Sequence, residues 1–168
     1  GESAPAGAFI ETDGTVLFGT DAEALGAARP ERLLREYSLA VGQDVPLIAG
    51  GHSVLPEDLV ARACAWVIER VAQHRGRAPA MIAVVHPGDW GGHRLAVLRA
   101  ALARVNIDAT LVPTTAAAAR ECIEQGHLPP GDAVAVYDLG GTRFDATVLK
   151  RLRDGASGPR FDTLGTPL

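Results

Sequence analysis

Cysteine is nearly absent: Cys64 and Cys122 are the only two in 168 residues. They have neither the number nor the spacing of a disulfide framework, a zinc site or a redox pair, and both fall inside helical patterns, where they read as buried thiols. Positive charge has no excess, with 16 Lys plus Arg against 20 Asp plus Glu and a net charge of -4. A mildly acidic chain lacks what holds a protein to a phosphate backbone, so no nucleic-acid partner is expected. No apolar run approaches the ~20 residues that span a bilayer, and no signal peptide is recognisable, so a soluble, cytoplasmic protein is expected. The five histidines are scattered. His86, Asp89 and His93 come closest to a cluster, but a Pro-Gly turn intervenes and no metal spacing results. Aromatic residues are scarce at 5%, yet 47% hydrophobic and 21% charged residues suit one globular domain or a piece of a larger one. A chain of this size can bury roughly 70% of its extended surface, enough for a core.

Residues 1–8 lack apolar periodicity and read as an irregular lead-in or an expression scar. Phe9-Ile10 and Val16-Leu17-Phe18 flank Asp13-Gly14, a strong hairpin signal. Asp21 is placed to cap a short helix over 22–28. Pro30 is placed to open a second, running to about Ala40 with Leu33, Leu34, Tyr37 and Val41 on one face. Residues 45–48 and 52–55 surround Gly50-Gly51, a second hairpin. Pro56-Glu57-Asp58 then starts a longer helix that ends before Gly76. Met81-Ile82-Ala83-Val84-Val85 is a continuous apolar run, expected as a strand buried on both faces. A helix over 92–105, a strand near 110–112 and an alanine-rich helix over 115–125, closed by Gly126, follow. Residues 134–137 form another expected buried strand, succeeded by strands at 144–149 and 160–164. Strands alternating with amphipathic helices predict an α/β layered architecture.

The segment Asp138-Leu139-Gly140-Gly141-Thr142-Arg143-Phe144-Asp145 carries the most chemistry. An acid at the C-terminal end of a strand sits where open α/β sheets bind ligands. The paired glycines let backbone N–H groups approach an anion closely. Asp138 could hold Mg²⁺, directly or through water, while the amides of Gly140 and Gly141 and the Thr142 hydroxyl hold phosphate oxygens. The alternative is an ordinary glycine hairpin with a capping aspartate. Alanines 116–119 need no explanation beyond helix propensity, and Trp66 and Trp90 read as packing aromatics.

The stretch Val134-Ala135-Val136-Tyr137-Asp138-Leu139-Gly140-Gly141-Thr142-Arg143-Phe144-Asp145 resembles the second phosphate-binding motif of Hsp70 chaperones, within the actin-like ATPase superfamily. Upstream, Ile82-Ala83-Val84-Val85-His86-Pro87-Gly88-Asp89-Trp90 resembles the strand before that family's connecting helix. Thr115-Ala116-Ala117-Ala118 resembles the start of that connecting helix. Val16-Leu17-Phe18-Gly19-Thr20-Asp21-Ala22 and Pro30-Glu31-Arg32 resemble two further family segments, and the His86-Pro87-x-x-Trp90 form is similar to divergent actinobacterial members. The resemblance covers residues 9–150. It implies a partial actin-like (ribonuclease H-like) fold, with 9–133 belonging to lobe I and its outer subdomain and 134–168 beginning lobe II. It also implies ATP and Mg²⁺ as cofactors, with Asp138 catalytic, Gly140, Gly141, Thr142 and Arg143 at the phosphates, and Asp138 and Asp145 near the metal. A protein partner or client would receive the nucleotide signal.

The departures point to degenerate chemistry. Glu23 stands where the family has its catalytic lysine, and a carboxylate there repels phosphate. Pro113 stands at the glutamate of the connecting helix, Thr142 at the third loop glycine and Arg143 at the loop threonine. Arg143 either supplies a compensating cation or is a solvated surface residue. The resemblance also leaves the family's first phosphate-binding hairpin and adenosine-binding half unmatched, so a fragment that binds ATP weakly or not at all alone is expected. The alternatives are a non-hydrolysing scaffold on the same fold and a sugar kinase of the same superfamily, whose phosphate loop Asp-Leu-Gly-Gly-Thr resembles but which opens the chain there.

Overall fold

A computed structural model describes residues 3–140, 143–155 and 158–165. It is a mixed α/β structure that divides into two compact units. The first comprises Gly1–Ile82 and Gly92–Ala109, the second Ala83–Gly91 and Thr110–Leu168.

In the first unit, β1 (Ala8–Ile10) is the middle strand of an antiparallel sheet, between β2 (Val16–Phe18) and β3 (Leu33–Leu34). The β1–β2 turn follows its local chemistry: Thr15 N–H donates to the Asp13 carboxylate at 2.9 Å, and Gly14 takes a φ of 86°. All three residues of β1 are fully buried. Ala8, Phe18, Tyr37 and Leu59 form a core cluster, with Trp66 and Leu34 packed against it. Helix α1 (Thr20–Ala28) packs on β1 and β2. Strands β4 (Leu47–Ala49) and β5 (His52–Val54) form a hairpin whose Gly50 and Gly51 both have positive φ, as a two-residue primed turn requires. Helix α2 (Pro56–Arg75) begins with proline, carries Glu57 and Asp58 in its first turn and ends at Gly76 in the left-handed conformation. It packs against α3 (Gly92–Arg104), to which Asp58 is tied by Arg104.

Among the described residues, the second unit has one helix, which packs against two sheets. Strands β6 (Ala83–His86) and β7 (Thr110–Pro113) pair in parallel, and α4 (Thr114–Glu124) follows β7 directly. Strands β8 (Ala133–Leu139), β9 (Phe144–Arg151) and β10 (Phe161–Leu164) form an antiparallel sheet with β9 in the middle. Asp145, Thr147 and Leu149 alternate along the buried face of β9, and α4 packs against β8 and β9.

Three expectations change. Residues 30–40 do not make one helix: a 3₁₀ turn at Pro30–Arg32 leads into β3, and a second spans Tyr37–Ala40. Pairing of Leu33 and Leu34 with Phe9 and Ala8 outweighs the helical spacing, and Glu36 at φ 56° would interrupt any helix there. Helix α1 is capped by Gly19 without a side-chain bond, and Asp21 sits in its first turn instead. The apolar runs at 81–85 and 134–137 are not buried on both faces. Met81 and Ile82 precede β6 altogether, and within the strands Val85 is 57% exposed and Tyr137 74%. Each run lies on a small sheet, and β8 is an edge strand, so alternate residues have no layer over them among the described residues. Tyr137, Leu139, Phe144, Val148 and Leu164 give that outer face an apolar surface.

Tyr37 makes the first unit sensitive to alkali. Burial pushes its phenol up to about 12, with the neighbouring Cys64 adding to the shift, and burial also pushes the Cys64 thiol up. A phenol of ordinary pKa 10.0 in the unfolded chain ionises first, so this contribution is intact below pH 10 and is lost as pH rises towards 12. Denaturant midpoints should therefore fall across that interval, and Tyr37→Phe should flatten the fall. An unchanged slope in the phenylalanine variant refutes the assignment.

Candidate functional site

The phosphate-like segment lies in the β8–β9 hairpin. Strand register sets Asp138 directly across from Asp145 and Leu139 across from Phe144. Because strand side chains alternate, Asp138 and Asp145 share the face that also carries Thr147 and Leu149. Beyond Leu139, Gly140 N–H donates to the Arg143 carbonyl at 2.8 Å. That bond closes the hairpin and engages one of the amides expected to meet an anion. A Cβ on Gly140 would stand 3.3 Å from the same carbonyl, a tight contact that the backbone would have to relieve by a small shift. Gly141 and Thr142, the other two expected phosphate contacts, lie outside the described residues.

Arg143 is the best-anchored side chain of the segment. Its Nε donates to Asp145 Oδ2 at 2.8 Å and one terminal nitrogen to Asp145 Oδ1 at 3.0 Å, a two-pronged bond that uses both carboxylate oxygens. The guanidinium also meets Asp89 at 2.5 Å. The Asp145 side chain is only 6% exposed, whereas Arg143 and Asp89 are 28% and 38% exposed. Hydrogen bonds to Asp145 and then Asp89 raise the Arg143 pKa further, so it is a fixed cation. The solvated-surface alternative for this residue therefore falls away. Asp138, by contrast, is half-buried beside this pair.

The turn after β6 brings Asp89 into position. Trp90 N–H donates to the Pro87 carbonyl at 3.3 Å, and His86 Nδ1–H donates to the same carbonyl at 2.8 Å. The Trp90 and His86 rings stack at 5.9 Å and 21°. Thr114 Oγ1 donates to the His86 carbonyl at 2.9 Å, fastening the start of α4 to the same turn. In the sequence Asp89 stands near His86 and His93 without a metal spacing. The structure instead gives His86 to the Pro87 carbonyl and Asp89 to Arg143. No group of three or more His, Cys, Asp or Glu side chains is gathered for a metal among the described residues. Nothing local in the sequence signals the Asp89–Arg143 pair, since it joins two turns far apart along the chain.

Behind the hairpin lies a cavity of about 260 Å³ lined by Gly88, Thr115, Thr147, Leu149 and Phe161, among others. The Thr147 hydroxyl is buried without a hydrogen-bond partner among the described residues, a place suited to an internal water.

Glu23 and Pro113, two of the positions that depart from the resemblance, sit in different units. Glu23, on α1 of the first unit, accepts a hydrogen bond from Arg35 at 2.5 Å. That contact raises the Arg35 pKa and gives the Glu23 carboxylate a counter-ion. Pro113, in the second unit, ends β7 opposite His86 and immediately precedes α4, where it adds no ionisable group.

The fit to a divalent cation is poor. Of the two carboxylates expected near Mg²⁺, Asp145 already has both oxygens on a guanidinium. No helix among the described residues is long and apolar enough to cross a membrane. Comparison with models of known protein families finds no match, and comparison with curated proteins finds none either.

Proposed function

We propose that this chain is a portion of a divergent Hsp70-like, actin-like nucleotide-binding domain, with the β8–β9 turn descended from one that grips a triphosphate tail. The observation that carries the reading is the hairpin itself. Its register sets Asp138 across from Asp145 at the end of a strand, with Gly140 opening the turn between them. The order of the family-like segments, from 9 to 150, supports the same reading. In this proposal the complete protein is cytoplasmic, and a nucleotide between lobes biases their arrangement and so signals to a partner or client protein.

The activity is degenerate in this reading. Glu23, paired to Arg35, offers no cation to a developing phosphate charge, and Pro113 supplies no carboxylate to order water. The Asp145–Arg143 bond favours a second reading, a non-hydrolysing scaffold that keeps the turn as structure. Titrating the chain with ATP while following backbone amide resonances separates the two. Weak, millimolar-range shifts confined to residues 138–146 are expected for the nucleotide reading. Micromolar affinity would overturn the degeneracy, and an unperturbed turn at saturating ATP leaves the scaffold.

A further inference from the structure

We propose that Arg143 is a built-in cation that takes the place of a metal at the head of β9, so that Asp145 and Asp89 are held together without divalent ions. The inference deepens the reading of this turn as a relative of a metal-assisted phosphate site, but it stands on contacts that involve no nucleotide. A carboxylate as enclosed as Asp145 needs a counter-charge, because desolvation penalises its ionised form. A divalent ion meets that need with a sphere of charge that accepts several oxygens. A guanidinium meets it with a planar fork matched to two carboxylate oxygens, and this is the geometry found here.

The position also fits. Arg143, immediately before β9, reaches forward to the carboxylate two residues on, and across to Asp89 in the turn after β6. One cation thus joins two loops that meet at the same end of this unit, as a bridging ion would. The joint is covalently attached at one side and is lost neither to chelation nor to dilution. An arginine that already bonds two carboxylates has less charge to offer a phosphate, in keeping with a turn that has become structural. The consequence is an ion site closed by its own side chain and reopened by a single substitution.

Paramagnetic broadening by Mn²⁺ alone, with no nucleotide present, tests this on the full chain. Millimolar Mn²⁺ should leave the amide signals of residues 143–147 in the wild type no broader than those of other acidic segments. In Arg143→Gln the same signals should be selectively lost, and Arg143→Gln combined with Asp145→Asn should restore them. Selective broadening around Asp145 in the wild type overturns the proposal, and that arm reads out whether or not the variant folds. A folded Arg143→Gln chain that shows no selective broadening also overturns it, since the carboxylates would then form no cation seat. As ATP is absent, either outcome is separate from success or failure of the nucleotide titration.

Discussion

Phe9→Ala is expected to cost the first unit about 3–5 kcal/mol, the range for removing a fully enclosed aromatic ring. Phe9 has no exposed surface and lies on the middle strand of its sheet, with neighbours on both edges. The Arg29 guanidinium sits 5.0 Å from the centre of its ring, so the substitution also strips a cation–π contact from the end of α1. The backbone of β1 is held by β2 and β3, which limits how far the sheet can collapse into the space left behind. Thermal unfolding followed by Trp66 fluorescence is the appropriate readout, because Trp66 packs against Phe18 in the same unit. For a unit of roughly a hundred residues a fall of at least ~10 °C is expected. A shift of only a degree or two would mean that the β1 sheet is not where this unit is stabilised.

Trp90→Ala should have an effect of similar size in the second unit, again about 3–5 kcal/mol. Trp90 is 8% exposed and stacks on His86, which is itself buried. Its consequence extends beyond stability. The indole braces the turn that presents Asp89 to Arg143, so its loss should free that turn and weaken the contact. The Arg143 terminal Nη–H resonances are the direct reporters, since a terminal nitrogen meets Asp89: they should move towards the values of a solvated arginine in Trp90→Ala and stay put in Trp90→Phe, which keeps a ring for stacking. Unfolding of this unit at an unchanged temperature in the alanine variant would rule out the bracing role.

Local chemistry made much of the fold legible. Asp13-Gly14 and Gly50-Gly51 specify tight turns because their backbone angles are open to few other residues, and both hairpins formed. Proline at the start and glycine at the end marked α2, and Gly126, at φ 78°, lies just beyond α4. The segment 30–40 misled because its leucines satisfy a helical face and a strand equally well; what decided was an unpaired edge of β1 within reach. The apolar runs misled for the opposite reason. Residue type announces a strand but says nothing about how many layers will cover it.

The candidate site divides in the same way. Asp138, Gly140 and Asp145 were readable as a turn with acids on either side, because a two-residue period and a glycine fix where they point. By itself the sequence determined the mixed α/β class, the hairpins, the principal helices and the presence of an acid-rich turn, all of which depend on neighbours a few residues apart. Only the tertiary structure decided what Arg143 does. One carboxylate partner lies on β9 and the other in the turn after β6, and whether a guanidinium meets water, phosphate or carboxylate depends on distances that chain folding alone sets.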